Sequence, residues 1–216
     1  MIKCVLFDMD GVLINSEPVH FEIWKQIFAE QGIAISYDVY KGCIGSTVNR
    51  LFELVLEGYG RDFRGNPAVP ERFRELKNIY IREKGIPEIK GVCELVRSLK
   101  ADGYTLAVAS SSPQDYIEII VKQLGLSDCF DLLFSAERVA RPKPAPDVFL
   151  TAAEALGMKP EECLVVEDSE NGSKAAKAAG MMCYGFVNPD SGNQDLSAAD
   201  CLFYSFKEFP AKIPQK

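Results

Sequence analysis

Short hydrophobic runs recur along the chain, and a turn or a polar segment follows each one. Several of these runs are rich in β-branched or aromatic residues, which is typical of buried strands. They are residues 2–7, 104–109, 131–134, 163–166 and 183–187. Most segments between them repeat hydrophobic residues at helical spacing and end at glycine, as residues 92–99 do before Gly103. This alternation predicts an α/β fold with a doubly wound, Rossmann-like parallel sheet.

Residues 17–84 interrupt the alternation, because they contain several helical patterns and no convincing strand. The first helical pattern has Ser16 as its predicted N-cap and ends at Gly32. Further helices are predicted at residues 46–58 and 70–84. We therefore expect a helical bundle inserted into the α/β core.

The chain should accordingly divide into two parts. The catalytic core is predicted to comprise residues 1–14 and 88–216, and an inserted helical-bundle cap is predicted at residues 15–87. The linkers between them fall near residues 14–17 and 84–90, where they could act as a hinge.

The composition is that of a folded soluble protein, with 47% hydrophobic and 25% charged residues. Acidic residues outnumber basic ones by 31 to 24, giving a formal net charge of −7. The sequence contains no concentrated basic run that would follow a nucleic-acid backbone, so we expect no nucleic-acid partner.

The N-terminal hydrophobic run reaches Asp8 too soon to form the core of a signal peptide. No uncharged stretch approaches the ~18 residues that a membrane span needs. Seven dispersed cysteines without a Cys-x-x-Cys pair suit reduced thiols inside a cell. We therefore predict a cytoplasmic protein without membrane contact, and the sequence predicts no oligomeric state.

Polar residues follow the predicted strands at the edge where open α/β sheets bind their ligands. They are Asp8, Asp10, the serines at 110–112, Lys143 in a proline-rich loop, Glu167 and Asp168. Four carboxylates at one edge would repel one another without a cation, and hard oxygen ligands suit Mg²⁺. The chain's only histidine is His20 and its cysteines are dispersed, so no zinc cluster competes.

These carboxylates, serines and lysine, together with a bound metal ion, are suited to phosphoryl transfer. A metal ion and Lys143 would neutralise a dianionic phosphate before Asp8 attacks it. Asp10, two residues further on, could protonate the leaving oxygen and then deprotonate water. Such a reaction passes through an aspartyl-phosphate.

These residues together resemble the four ordered motifs of the haloacid dehalogenase superfamily, from residue 4 to about residue 180. The matching segments are Asp8-Met9-Asp10-Gly11-Val12, Ser110, Lys143 and Glu167-Asp168-Ser169. Each motif alone could be an ordinary turn, helix cap or surface residue. Their order at successive strand ends makes the resemblance specific.

The resemblance implies a role for each matched residue. Asp8 would be the nucleophile and Asp10 the general acid and base, while Ser110 and Lys143 would hold the phosphoryl oxygens. The implied magnesium ligands are Asp8, the main-chain carbonyl of Asp10, Glu167 and Asp168.

Within this superfamily the chain is most similar to the β-phosphoglucomutase-like branch, which contains both mutases and phosphatases. Mutases of this branch carry a lysine before a cap glycine and an arginine shortly after it, whereas this chain has Ile44-Gly45-Ser46-Thr47-Val48. They also carry Lys-Asn where this chain has Pro113-Gln114. We therefore expect hydrolysis of a phosphorylated small molecule, and we favour a sugar phosphate as the substrate.

Other functions remain open at this point. Arg50 or Lys41 could restore a second phosphate clamp and with it a mutase, and inorganic pyrophosphate would also suit the core motifs. Asp10 argues against a dehalogenase, and the Asp8-x-Asp10 pair with its inserted helices argues against a phosphate-responsive receiver module. The residues expected to contact the substrate are His20, Gly45, Ser46, Arg50 and Ser111, and His20 could equally be structural.

Overall fold

A computed structural model describes residues 1–209 of the chain. Its strands are β1 Cys4–Phe7, β2 Thr105–Ser110, β3 Leu132–Ser135, β4 Cys163–Glu167, β5 Met182–Phe186 and β6 Cys201–Phe203. They form one parallel sheet in the order β3-β2-β1-β4-β5-β6. The predicted doubly wound α/β fold is confirmed, whereas β6 was not predicted because Cys201-Leu202-Phe203 is too short to stand out as a pattern.

Helices cover both faces of the sheet, as parallel strands require. In chain order the helices are α1 Glu17–Glu30, α2 Tyr37–Tyr40, α3 Val48–Tyr59, α4 Ala68–Lys84, α5 Val92–Ala101, α6 Gln114–Gln123, α7 Asp147–Ala155 and α8 Glu170–Ala178. Alternate side chains of β1 enter opposite hydrophobic cores. Val5 and Phe7 pack with α5 and α6, while Cys4 and Leu6 pack with α7 and α8. Strand β1 is thereby held rigidly at the centre of the sheet.

Helices α1 to α4, here called the helical insert, lie between β1 and α5 and share a hydrophobic core of their own. Trp24 of α1 stacks on Phe73 of α4 with ring centroids 4.5 Å apart. Ser16 precedes α1 as expected, but its side chain makes no cap hydrogen bond, because the residue is buried with helical backbone angles.

The two chain segments that join the insert to the core run side by side. The Asn15 N–H donates to the Pro87 carbonyl at 2.8 Å, and Ile14 forms a β-bridge with Glu88. The predicted boundaries of core and cap stay predictions, and residues 210–216 of the predicted core range lie outside the described residues.

None of the described helices is both long and apolar enough to cross a membrane.

Candidate active site

A lysine lies between two carboxylates at the carboxyl edge of the sheet. Asp8 follows β1 and Glu167 ends β4, and these strands are neighbours, so the two side chains meet. The Lys143 Nζ donates to Asp8 Oδ1 and to Glu167 Oε1, each at 2.7 Å, and to the Ala109 carbonyl at 3.3 Å. All three charged side chains are buried. The sequence-predicted nucleophile and lysine therefore form one charged cluster.

Glu167 is held in place by the start of α8. Its Oε2 accepts from the main-chain N–H groups of Asp168 and Ser169, each at 3.0 Å, and from the Ser169 hydroxyl at 2.8 Å. A side chain at Gly172 would meet Glu167 Oε1 at 1.7 Å. With one oxygen on Lys143 and the other on this turn, Glu167 fixes the position of the lysine.

Asp168 packs directly against the turn that follows β1. Its Oδ2 accepts from the Ser191 hydroxyl, and a Cβ at Gly11 would lie only 1.9 Å from the same oxygen. Gly11 also has a φ of +80°, which favours glycine. The glycine of the first motif is therefore required by both its backbone conformation and its close contact with Asp168.

Three buried carboxylates at this edge could hold a metal ion. Ligand atoms of Asp8, Glu167 and Asp168 all lie within 4.8 Å of one another. Burial raises the pKa of Asp8 to about 7, against the attraction of Lys143 and with a further contribution from Glu167. Burial, and then the charges of Glu167 and Asp8, hold the pKa of Asp168 well above its usual range. When ionised, the three carboxylates carry more negative charge than one lysine offsets, so the chemistry of the cluster fits a hard divalent cation.

Lys143 remains protonated in this cluster. Burial disfavours its charge, but the attraction of Asp8 and Glu167 outweighs burial and raises the lysine pKa above its usual value. It can therefore present a fixed positive charge to an anionic substrate.

Asp10 is positioned by the serine run after β2. The Ser112 hydroxyl donates to Asp10 Oδ2 at 2.7 Å, while the Ser112 N–H donates to the Ser110 hydroxyl at 3.1 Å. Asp10 Oδ1 is buried and has no hydrogen-bond partner among the described residues. One oxygen of Asp10 is thus anchored and the other is available for proton transfer. Ser112 belongs to the serine run that follows β2, but its contact with Asp10 was not predicted from the sequence.

A pocket of about 500 Å³ opens over Asp8 between the core and the helical insert. The sequence-predicted residues that line it are Asp8, Asp10, His20, Gly45, Ser46, Ser110, Ser111, Lys143, Glu167 and Asp168.

Arg50 does not line this pocket, and its expected contact with substrate stays a prediction. Its guanidinium pairs with Glu53 at 2.9 Å and Glu57 at 3.9 Å along α3. Lys41 pairs with Asp38 at 2.6 Å, with both side chains exposed. Both cations are thus paired with carboxylates of the insert, and neither lines the pocket.

The insert contributes Glu17 and His20 to the pocket wall. Glu17 Oε2 accepts from the Tyr40 hydroxyl at 2.7 Å, and Glu17 Oε1 lies 3.8 Å from His20 Nδ1. The His20 ring packs edge-on against Phe73, and its buried Nε2 has no partner among the described residues. Glu17 was not singled out from the sequence, although it begins the helix that carries His20.

Lys77 of α4 was also missed. Its Nζ lies 3.7 Å from the centre of the Tyr116 ring, in the core. Burial lowers the pKa of Lys77, and the charge of Asp10 opposes that shift. The signal was present, since Phe73, Lys77 and Ile81 follow one another at intervals of four residues. A lysine on the buried face of a helix usually has a specific partner.

The loop after β5, residues 187–200 and here called the core loop, supplies further contacts that were missed. The Asn188 Nδ2 donates to the Gly11 carbonyl at 2.9 Å, and Ser191 donates to Asp168. The loop follows a strand at the same sheet edge, but its Asn-Pro-Asp-Ser-Gly sequence reads as an ordinary turn.

Comparisons with known proteins agree with this geometry. Residues 2–180 match the family model of haloacid dehalogenase-like hydrolases. Hexitol phosphatase B of Escherichia coli (strain K12) is 33% identical, over 98% of this chain and 96% of that protein. The β-phosphoglucomutase of Bacillus subtilis (strain 168) is 31% identical, over 85% and 83%. A crystal structure of CbbY from Rhodobacter sphaeroides in complex with phosphate superposes with a TM-score of 0.82 at 28% identity, covering 97% of this chain and 96% of that one.

Proposed function

The chain belongs to the haloacid dehalogenase-like hydrolase family, and from that premise we propose that it is a magnesium-dependent phosphatase acting on a phosphate monoester of a small, polyhydroxylated metabolite. The observation that carries this proposal is the pairing of two unequal aspartates in one pocket. Asp8 is held by Lys143 at 2.7 Å, while Asp10 keeps one buried oxygen free of any described partner. One carboxylate is thus placed as a nucleophile and the other as a proton carrier.

In the proposed reaction an Asp8 oxygen attacks phosphorus and forms an aspartyl-phosphate, as the ester oxygen leaves. The protonated Asp10 gives its proton to that oxygen, so the alcohol departs neutral. Asp10 then accepts a proton from water, and the water oxygen attacks phosphorus. The bond between phosphorus and the Asp8 oxygen breaks, which regenerates the Asp8 carboxylate and releases inorganic phosphate. Lys143 and Ser110 face the same pocket and would hold the non-bridging phosphoryl oxygens.

The buried carboxylates favour a bound magnesium ion. Asp8 and Asp168, with the main-chain carbonyl of Asp10, would hold it, and Glu167 would contribute mainly by holding Lys143. When bound, the ion supplies positive charge that offsets the charges of the phosphate and of Asp8.

The cation content of the pocket favours a monophosphate substrate. Lys143 is the only lysine or arginine among the described residues that line it, and two carboxylates already engage it. A second phosphate would find no free cation there and would lie near Glu17. Since a mutase must hold two phosphates, hydrolysis is favoured over the mutase reaction.

The insert side of the pocket favours an organic leaving group over pyrophosphate. Glu17 can accept hydrogen bonds from hydroxyl groups of a substrate. The His20 Nε2, which has no partner among the described residues, can form a further hydrogen bond with such a hydroxyl group. The relative named hexitol phosphatase B supports a polyol or sugar phosphate.

Phosphate release with Mg²⁺ tests this proposal. The panel contains hexitol phosphates, aldose phosphates, an aryl phosphate and pyrophosphate. We expect kcat/KM at least about tenfold higher for a polyol or sugar monophosphate than for pyrophosphate. Failure to release phosphate from any monoester would contradict the proposal.

A separate incubation with β-glucose 1-phosphate and a trace of the 1,6-bisphosphate tests the mutase alternative. We expect no net accumulation of glucose 6-phosphate. Its accumulation faster than phosphate release would favour a mutase instead.

A further inference from the structure

The core loop bridges the helical insert and the core through one side chain. The Gln194 Nε2 donates to the Ile44 carbonyl at 3.1 Å, and its Oε1 accepts from the Glu170 N–H at 3.0 Å. Glu170 is the first residue of α8, and Ile44 begins the loop before α3, residues 44–47, here called the insert loop. Gln194 therefore links the insert to the helix that follows the carboxylates Glu167 and Asp168.

Two glycines allow the loops to approach this closely. A Cβ on Gly45 would lie 2.5 Å from Gln194 Nε2, and a Cβ on Gly192 would lie 3.3 Å from the Ile44 Cβ. Both glycines have positive φ, +75° and +71°. The Asn171 Nδ2 adds a weaker contact to the Gly45 carbonyl at 3.4 Å. The insert loop is thus fitted against the core rather than merely near it.

This contact forms part of the wall of the active-site pocket. Gly45, Gln194 and Asn171 line the pocket together with Asp8. Because the pocket lies between the insert and the core, separating the insert loop from Gln194 would open it to solvent. The core loop also reaches the carboxylate cluster three residues earlier, where Ser191 donates to Asp168.

We propose that Gln194 is a positioning residue that holds the insert loop against the core and so closes the pocket over Asp8. Its amide and carbonyl each bond to main-chain groups, so it acts through the position of the loop. The hydrogen-bond bridge stands on the structure alone, whereas its importance for turnover rests on the proposed phosphatase function.

The test compares Gln194→Leu with Asp195→Ala in the full chain. Leucine has a similar volume but cannot bridge Ile44 and Glu170. The control lies in the same loop, where Asp195 accepts local hydrogen bonds from Ser197, the N–H at 2.9 Å and the side chain, and does not bond to the insert loop. Amide hydrogen exchange of residues 43–50 is measured with Mg²⁺ and without substrate, together with kcat/KM for phosphate release.

We expect Gln194→Leu to speed exchange of residues 43–50 about three- to tenfold, the effect of one net hydrogen bond on the closing equilibrium. The value of kcat/KM should fall by a smaller factor, because exchange follows the open fraction, whereas kcat/KM follows the closed fraction, which changes less while the closed state predominates. Exchange in β4 and in α8 beyond Glu170, whose N–H loses its acceptor in the variant, should match the wild type. Asp195→Ala should change neither quantity. A merely structural role would instead change exchange in β4 and α8 as well.

A second variant perturbs the contact from the other side. Gly192→Ala should press on Ile44 while leaving both bonds of Gln194 possible. Gly180→Ala controls for backbone strain, since Gly180 has a similar φ of +74° with open space around it. We expect faster exchange of the insert loop in Gly192→Ala but not in Gly180→Ala.

The outcomes separate this inference from the proposed function. Unchanged exchange of residues 43–50 in both Gln194→Leu and Gly192→Ala would overturn the inference, even if the wild type releases phosphate. Faster exchange confined to that segment would support closure by Gln194, even if no phosphate monoester proves to be a substrate. Equal effects of Gln194→Leu and Asp195→Ala would also overturn the inference, because they would show general loosening of the core loop.

Discussion

The carboxyl edge of the sheet and the helical insert meet at one pocket but are built differently. At the sheet edge, buried charged groups are bonded to one another and to main-chain groups, as Glu167 is to Lys143 and to the start of α8. The insert has an aromatic interior around Trp24 and Phe73, and it reaches the pocket with a few polar groups at its surface. The rigid edge suits chemistry, and the insert suits substrate selection and closure.

This difference has an energetic consequence. Removing Lys143 at the sheet edge leaves two carboxylates buried without their shared cation, so the loss is large. Polar groups that the insert contributes to the pocket, such as Glu17 and His20, are partly exposed, so loss of their contacts should cost less. Substitutions in the two regions should therefore differ in size as well as in kind.

Asp8→Asn tests the sheet edge most severely. We expect phosphate release to fall at least about 10⁴-fold, because the amide is a poor nucleophile. Thermal stability without metal should nevertheless rise at pH 8. Burial raises the pKa of Asp8 to about 7, so the folded state favours the neutral form and loses stability as pH rises through that value. Asparagine remains neutral and removes this loss.

Phosphate release is measured with Mg²⁺. Thermal unfolding is measured separately in EDTA, at pH 5 and at pH 8. The stabilisation by Asp8→Asn should be larger at pH 8 than at pH 5. Retained activity would remove Asp8 as the nucleophile, and an equal stability change at both pH values would contradict the assigned pKa shift.

Lys143→Met breaks the charged cluster itself. We expect the free energy of unfolding without metal to fall by about 3–5 kcal/mol at pH 8, because Asp8 and Glu167 lose their shared cation while buried. Arg141→Met is the matched control in the same loop. Arg141 pairs with Asp147 at 2.6 Å but is 69% exposed, so its loss should cost less than about 1 kcal/mol. Urea denaturation measures both, and equal losses would erase the proposed contrast between buried and exposed charges.

Gly11→Ala tests the close packing of the sheet edge without removing a charge. The new methyl group would lie 1.9 Å from Asp168 Oδ2, so Asp168 must move. We expect activity at saturating Mg²⁺ to fall about 10- to 100-fold, the effect of a misplaced catalytic group. Gly103→Ala imposes a similar positive φ of +86° in open space and should leave activity unchanged. Equal activities of the two variants would show that the Asp168 position does not matter.

The sheet edge could be predicted from the sequence because parallel strands end at a common edge. Asp8 and Glu167 therefore needed only their strand assignments to be placed together. The contacts of the insert with the pocket could not be predicted to the same extent. The separation of Arg50 from the pocket depends on helix orientation and on Glu53, and the bridge by Gln194 depends on how two distant loops pack. Such contacts leave no periodic pattern or motif in the sequence.

Lys77→Met tests whether the insert also contributes to the chemistry at the sheet edge. Lys77 reaches from α4 to the Tyr116 ring, close enough for the charge of Asp10 to affect its pKa. We expect kcat/KM to fall about three- to tenfold, since a positive charge near the proton carrier is lost. Thermal stability should rise slightly, because burial lowers the pKa of Lys77 and methionine avoids the cost of that buried charge.

Lys84→Met is the matched control for this substitution. Lys84 lies on the same helix and also contacts an aromatic ring, with Nζ 5.0 Å from the centre of the Tyr80 ring. Lys84→Met removes the same charge at a site that does not face Asp10. Neither activity nor stability should therefore change measurably. If both variants lowered kcat/KM equally, the effect would be one of overall charge, and the insert would be left with closure and selection alone. If only Lys77→Met lowered it, the division between the two regions would be incomplete, because one residue of the insert would act on the proton-transfer step.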